Sequence, residues 1–199
     1  MSARLVILVS GTGSNMASLI EACADPDYGA TVVAVGADRS GIAALDYAEQ
    51  CGIPTFVCKL ADYSQREEWD DALTAAISDY SPDLVVCAGF MKILGSSTLT
   101  AYASRIINTH PALLPSFVGA NAVREALDYG VRITGATVHL VDGVLDGGPI
   151  LGQVAVPVEP DDDEMSLHQR IKDAERELLV DVVGRMGHGY SLVGRKVVL

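Results

Sequence analysis

The sequence predicts an α/β fold: a mostly parallel, twisted sheet with helices on both faces, Rossmann-like in its N-terminal half. Three observations carry that expectation. Short β-branched runs alternate with segments of helical spacing over the first ninety residues. A glycine-rich turn joins the first such run to the first helical segment. After residue 100 the apolar runs lengthen and begin to alternate with polar positions. Strand and helix in strict alternation require crossover connections, and crossovers make parallel sheets.

Leu5-Val6-Ile7-Leu8-Val9 is a continuous apolar run, as expected of a strand covered on both faces. Residues 15–24 then have helical spacing, with Met16, Leu19, Ile20 and Cys23 on one stripe. Residues 31–35 read as a second strand, and 41–51 as a second helix with Ile42, Leu45 and Ala48 inward. A third strand is expected over 53–58 and a third helix over 64–80. Pro82 opens a fourth buried strand, Leu84 to Ala88. Arg105-Ile106-Ile107 is a further strand, ending in an amide, an imidazole and a proline. Two longer strands over 132–141 and 149–158 flank the turn 142–148. Residues 165–186 form a long amphipathic helix, and 191–199 a terminal strand or hairpin. Repeats and flexible linkers are lacking, so one domain is expected over residues 1–199. Within it, the change of pattern after residue 100 divides the chain into halves, 1–100 and 101–199.

The composition, 49% hydrophobic and 20% charged over 199 residues, is that of a globular protein with a substantial core. A net charge of −12 argues against nucleic acid or an anionic membrane as the main partner. The four cysteines (Cys23, Cys51, Cys58, Cys87) lack C-x-x-C spacing and read as reduced, buried thiols. The N-terminus has no secretory pattern, and its apolar run is too short to span a bilayer. A cytoplasmic protein is expected. The acidic stretch 159–164 reads as a solvated loop feeding a helix N-terminus. No metal site is expected there or at the cysteines.

Ser10-Gly11-Thr12-Gly13-Ser14-Asn15 follows the first strand and opens the first helix. Free N–H groups at such a start form an anion site. As a dinucleotide fingerprint it fails at the third glycine, which is Met16, and no Lys-Ser/Thr pair follows to make a Walker A loop. The phosphate of a small substrate fits better, although Asp38 keeps a dinucleotide reading open. Ala88 to Leu94 lies at the carboxyl end of the fourth strand, the edge where open α/β sheets bind ligands. Phe90, Met91, Ile93 and Leu94 in one loop call for a flat apolar cover. In an extended chain Asn108 and His110 project to one side. Histidine moves protons near neutrality, and asparagine can donate to a developing oxyanion. Asp146, in the turn Leu145-Asp146-Gly147-Gly148-Pro149, is placed to meet either His110 or His139.

Taken together, Asn108-Thr109-His110-Pro111 with Leu113-Leu114-Pro115, and Asp146-Gly147-Gly148-Pro149 downstream, resemble the formyltransferase fold family. The similarity extends to Ser10–Asn15, Arg66, the Gly89–Leu94 loop and Glu175, and so spans nearly the whole chain. Within the family it points to the branch that formylates 5-phosphoribosylglycinamide in de novo purine (IMP) biosynthesis, with 10-formyltetrahydrofolate as co-substrate and no metal. The resemblance implies that Asn108, His110 and Asp146 are catalytic. It implies that Gly13, Ser14 and Asn15 hold the substrate phosphate, with Lys172 and Glu175 nearby. Arg66, Met91, Lys92, Ile93 and Leu94 would line the folate site, and Asn108 would touch both ligands. On the same resemblance, 1–100 would be the phosphate-binding half and 101–199 the folate-binding and catalytic half. One segment departs: where the family pattern has Phe-Pro-Gly followed two residues later by histidine, this chain has Phe117-Val118-Gly119-Ala120-Asn121.

Other readings compete. A formyltetrahydrofolate deformylase would use the same Asn/His/Asp set, but would not need the phosphate turn and is expected to carry a further N-terminal domain. A transferase acting on initiator methionyl-tRNA is expected to carry a C-terminal domain and a basic surface. A nucleotide-binding oxidoreductase would use the glycine turn and Asp38 but leave Asn108, His110 and Asp146 idle. The partners expected are small molecules, and the sequence leaves monomer and homodimer open.

Overall fold

The sheet runs in the order β3-β2-β1-β4-β5-β6-β7, with the first five strands parallel and the last two antiparallel. The computed structural model describes residues 2–199. β1 (Ala3–Val9) is central, and its alternate side chains build two cores. Leu5, Ile7 and Val9 face α1 (Ser14–Ala22), α2 (Ala43–Gln50) and α6 (Glu164–His188). Val6 and Leu8 face Trp69, Leu73 and Ile77 of α3 (Arg66–Ser78). Burial on both faces explains why these strands read as unbroken apolar runs rather than alternating ones.

β2 (Ala30–Ala37), β3 (Thr55–Val57) and β4 (Leu84–Cys87) complete the doubly wound half. Strand order reverses between β1 and β4, and open α/β sheets bind ligands at the carboxyl ends of strands at that point. The chain leaves β1 there as the glycine-rich turn and leaves β4 as the 88–95 loop.

β5 (Ile106–His110) is longer than the sequence suggests and carries Asn108 and His110 within the ladder. The cause is its antiparallel partner, β6 (Ile133–Leu140), which pairs Asn108 with His139 and His110 with Thr137. β7 (Ile150–Pro157) returns along β6 and forms the sheet edge. The terminal residues form a separate hairpin of β8 (Ser191–Val193) and β9 (Lys196–Val198). The acidic stretch caps α6: the Asp163 carboxylate accepts from Ser166 N, and Asp162 pairs with Arg170.

Two helices escaped the sequence reading. α5 (Ala122–Tyr129) buries Val123 and Ala126 against β6, β7 and α6. α4 (Ser96–Ala101) is short and rich in serine and threonine, poor helix formers. Buried Asp70 of α3 holds it in place. Its carboxylate accepts from Gly95 N at 2.9 Å, Ser97 N at 2.8 Å, Thr98 N at 3.3 Å and Thr98 Oγ1 at 2.6 Å. The same bonds fix the far end of the 88–95 loop. Among the described residues, no helix is long and apolar enough to cross a membrane.

Asp70→Ala should therefore lower folding stability by about 2–4 kcal/mol, the order expected when a helix start loses its cap and buried donors lose their acceptor. Urea denaturation of the variant beside the parent measures it. A loss under about 1 kcal/mol would show that the loop and α4 stand without this carboxylate.

Candidate active site

The glycine-rich turn comes off β1 with Gly13 at φ +76°, a left-handed conformation that few other residues adopt. A Cβ at Gly13 would also lie 2.6 Å from Ala44 Cβ, so α2 approaches closely. Gly13 is the N-cap of α1 and supplies no side-chain cap, which leaves the amides of Ser14 and Asn15 for an incoming anion. Ser14 is exposed. The Asn15 side chain is buried: Nδ2 donates to Glu175 Oε1 at 2.6 Å, and Oδ1 has no partner.

Glu175 reaches this point from α6 and also accepts from Thr109 Oγ1 at 3.0 Å. It thus joins the turn after β1 to the side of β5 opposite Asn108 and His110. Burial pushes its carboxyl above the ordinary range, against the hydrogen bonds from Asn15 and Thr109 and the nearness of His110 and Lys172. Lys172 lies one turn earlier on α6 and is exposed. Thr109 drew no attention in the sequence, because a hydroxyl between two more reactive side chains gives no signal of its own.

The 88–95 loop is built on both sides of the switch point. Ser10 Oγ accepts from Met91 N at 2.8 Å, and Lys92 Nζ lies 3.3 Å from the buried Asp38 carboxylate. Arg39 makes a two-pronged bond to the same carboxylate. Burial alone would raise the Asp38 carboxyl, but Arg39, Ser10 and Lys92 outweigh it and hold it below the usual carboxylate range. Asp38 is thereby committed to its neighbours and is not free to bind the ribose of a dinucleotide. Met91 and Ile93 are 72% and 67% exposed, the apolar surface the sequence leads one to expect. The Leu94 side chain is buried with Trp69 and Leu73, so its backbone is the part that can face a ligand. Phe90 is likewise partly buried in that core. Arg66 stacks over Trp69 and donates to the Ile93 carbonyl, so it supports the loop from α3.

Asn108 and His110 project to one side, as strand geometry requires, and from the β6–β7 turn Asp146 reaches His110 and approaches His139, the partner of Asn108. His110 Nδ1 lies 3.4 Å from Asp146 Oδ2, with both side chains nearly removed from solvent. His110 Nε2 lies 2.7 Å from the Phe117 carbonyl. Carbonyl and carboxylate oxygens only accept, so the ring can donate at both nitrogens only when it carries both protons. Asp146 sits at φ +49°, and its Oδ2 accepts from Gly119 N at 3.0 Å.

His139 approaches Asp146 Oδ1 at 3.8 Å, but the bonding pattern assigns it another task. Its Nδ1 donates to the Leu140 carbonyl at 2.9 Å, which leaves a lone pair on Nε2. Burial lowers its pKa, overriding the opposite pull of the Leu140 carbonyl and Asp146, and keeps the ring neutral. Nε2 therefore accepts from Asn108 Nδ2 at 3.3 Å and fixes which way that amide points. The second N–H of Asn108 is left for a ligand. Of the two histidines open to Asp146, the one that can pair with it is His110.

The divergent segment proves to touch this pair directly. Phe117, at φ +54°, presents its carbonyl to His110, and Gly119 presents its amide to Asp146. Both contacts are made by backbone atoms, which explains why neither side chain announced them. Among the described residues, no group of three His, Cys, Asp or Glu side chains is placed to hold a metal ion.

The arrangement, an anion cradle and an apolar loop flanking an imidazole–carboxylate pair with a free amide donor, can polarise a carbonyl and move a proton beside it. The formyl transferase family model matches residues 3–183. The phosphoribosylglycinamide formyltransferase of Mycobacterium tuberculosis (strain H37Rv) is 54% identical over 194 residues, 97% of this chain and 89% of that protein. The enzyme of that name from Escherichia coli (strain K12) is 37% identical over 185 residues, 93% of this chain and 87% of that one. The crystal structure of glycinamide ribonucleotide transformylase 1 from Symbiobacterium toebii superposes with a TM-score of 0.95 at 35% identity, covering 98% of this chain and 93% of that one. Sequence and fold agree, and the chain belongs to the formyl transferase family.

Proposed function

We propose that this protein transfers the formyl group of 10-formyltetrahydrofolate to the amine of 5-phosphoribosylglycinamide, a step of de novo purine synthesis, and that it works in the cytoplasm. The observation that carries the reading is the convergence of Asn108, His110 and Asp146 between an anion turn and an exposed apolar loop. Membership of the family and the names of its relatives support the same substrates.

In this reading the substrate phosphate sits on the amides of Gly13, Ser14 and Asn15. Its ribosyl-glycinamide part lies along Glu175 and Lys172. The folate lies against Met91, Lys92, Ile93 and the backbone of Leu94, with Arg66 behind them. A boundary at residue 100 does not separate the two ligands: the folate loop lies in the first half, while Lys172 and Glu175 come from the second. The sheet edge between the halves is the shared site.

The amine nitrogen attacks the formyl carbon and the carbonyl π bond opens onto oxygen. Asn108 Nδ2 and the His110 ring donate to that oxygen as it becomes negative. The oxyanion's electron pair then re-forms the carbonyl as the carbon–N10 bond breaks, the bonding pair going to N10, to which His110 delivers its proton. The attacking nitrogen passes its surplus proton back to the His110 ring, which restores the starting protonation and leaves the sum neutral. Asp146 stabilises the charged ring and holds its orientation, and holding amine and formyl group together supplies much of the rest. For His110 Nε2 to serve a ligand, the Phe117 carbonyl must release it. Phe117 holds that carbonyl in place from a left-handed φ.

Incubation with a 10-formyl folate, with and without the ribonucleotide, tests the reading by the absorbance of the deformylated product. Release that depends on the ribonucleotide is expected. Release without it would indicate a hydrolase, and none under either condition would overturn both. Asp146→Asn should cut kcat while leaving both KM values within about threefold, and His110→Ala should cost about a hundredfold or more. Near-normal turnover in either variant would remove that residue from the mechanism.

Glu175→Gln separates binding from stability. A raised carboxyl pKa means that the folded protein holds this proton more tightly than the unfolded chain, so stability is lost as pH rises from 4.5 through the raised value. The glutamine carbonyl can still accept from Asn15 and Thr109 without burying a charge. The variant should be more stable than the parent at pH 7, with the difference vanishing below pH 4.5. It should also raise KM for the ribonucleotide about tenfold, the worth of one hydrogen bond to a charged group. Thermal melts across pH and initial rates measure the two effects.

A further inference from the structure

The family model ends at residue 183, yet the last ten residues reach the segment that leads into β5 and the turn that carries Asp146. The β8–β9 hairpin lies against the sheet edge, with Val197 and Leu199 packed on the main core. Tyr190, just before it, donates its hydroxyl to the Ser104 carbonyl at 2.7 Å, at the entrance to β5. Arg195, at the hairpin tip, donates from Nη2 to the Gly147 carbonyl at 2.7 Å and to the Gly148 carbonyl at 3.2 Å. These two carbonyls immediately follow Asp146.

The turn that carries Asp146 has little else to hold it. Val144 and Leu145 are 65% and 56% exposed. The Gly147 N to Val144 O bond shapes the turn from within but does not fix its position on the sheet. Within the turn Val144 N also donates to the Asp142 carboxylate. Among the described residues, the hydrogen bonds that reach the turn from other segments come from Gly119 and Arg195, alongside the ion-pair contacts of Asp146 with the His110 and His139 rings. Gly148 adds a steric constraint, since a Cβ there would fall on the Leu140 carbonyl. A guanidinium on two successive carbonyls is a charge-assisted contact that pins the turn from its outer side.

We infer that the C-terminal hairpin is a brace for the catalytic geometry and that Arg195 is a positioning residue, acting through the Asp146 turn on the distance between Asp146 and His110. Tyr190 steadies the other partner by holding the entrance to β5. The inference rests on the reading of His110 and Asp146 as the pair that serves formyl transfer. Arg195 touches neither ligand in this arrangement, so its loss should appear in kcat and not in KM.

The test compares Arg195→Ala, Arg195→Lys and Tyr190→Phe with the parent in steady-state formyl transfer. Displacing a reacting group by a fraction of an ångström is expected to cost about 5–20-fold in kcat for Arg195→Ala, with both KM values within twofold. Lysine retains one donor and should restore at least half of the parental kcat. Tyr190→Phe should show a smaller loss of the same kind. A kcat within twofold of the parent in Arg195→Ala, or a loss confined to KM, would overturn the brace. A second readout is independent of activity: amide exchange at Gly119, whose N–H is held by Asp146, should quicken about tenfold or more in Arg195→Ala. Unchanged exchange would overturn the inference even if the parent proved to have another activity. An inactive parent with quickened exchange would leave the brace standing and remove the formyl-transfer reading.

Discussion

The Asp146 carboxylate lies beside the His110 ring in a place where neither side chain sees much water, and most of the molecule is arranged to bring them there. His110 is fixed by the ladder of β5, which runs parallel to β4 on one side and antiparallel to β6 on the other. Asp146 is carried back to it because β6 and β7 are antiparallel and their connecting turn returns to the carboxyl edge of β5. An unpaired carboxylate so enclosed would be costly, and the ring opposite it and the Gly119 amide offset that cost. The antiparallel half of the sheet thus brings this carboxylate to the ring.

Around that pair, single polar groups are shared between what are proposed to be two ligand sites. Asp38 and Ser10 tie the end of β1 to the loop after β4, and Glu175 ties the start of α1 to β5. His139, kept neutral by burial, orients Asn108. Each of these is a buried polar group with its partners in place, and such networks specify one geometry as long as they stay complete. The unpaired Asn15 Oδ1 is the exception.

Much of this was legible in the sequence where the signal is local. The unbroken run of β1, the glycine turn that opens α1, and the two-residue spacing of Asn108 and His110 all follow from periodicity and turn chemistry. What was not legible depends on partners far along the chain. β5 extends through His110 because β6 pairs with it there. α4 is a weak helix that Asp70 holds from α3, and Leu94 turns inward because Trp69 and Leu73 leave room for it. The altered segment at 117–119 reads as a departure from the family pattern. Its contacts are made by the Phe117 carbonyl and the Gly119 amide, backbone groups that carry no mark of the side chain. Side-chain chemistry announces a site, whereas backbone chemistry appears only with the fold.

The central claim is that two ligands meet at one imidazole, and a crystal structure holding both addresses it most directly. With 5-phosphoribosylglycinamide and a non-transferable 10-formyl folate analogue bound, the phosphate should lie on the amides of Gly13 to Asn15. The formyl oxygen should lie within about 3 Å of Asn108 Nδ2 and the His110 ring, the reach of a hydrogen bond, with Asp146 still on the far side of that ring. A folate bound away from the 88–95 loop, or a formyl group out of reach of His110 while both ligands are in place, would contradict the account.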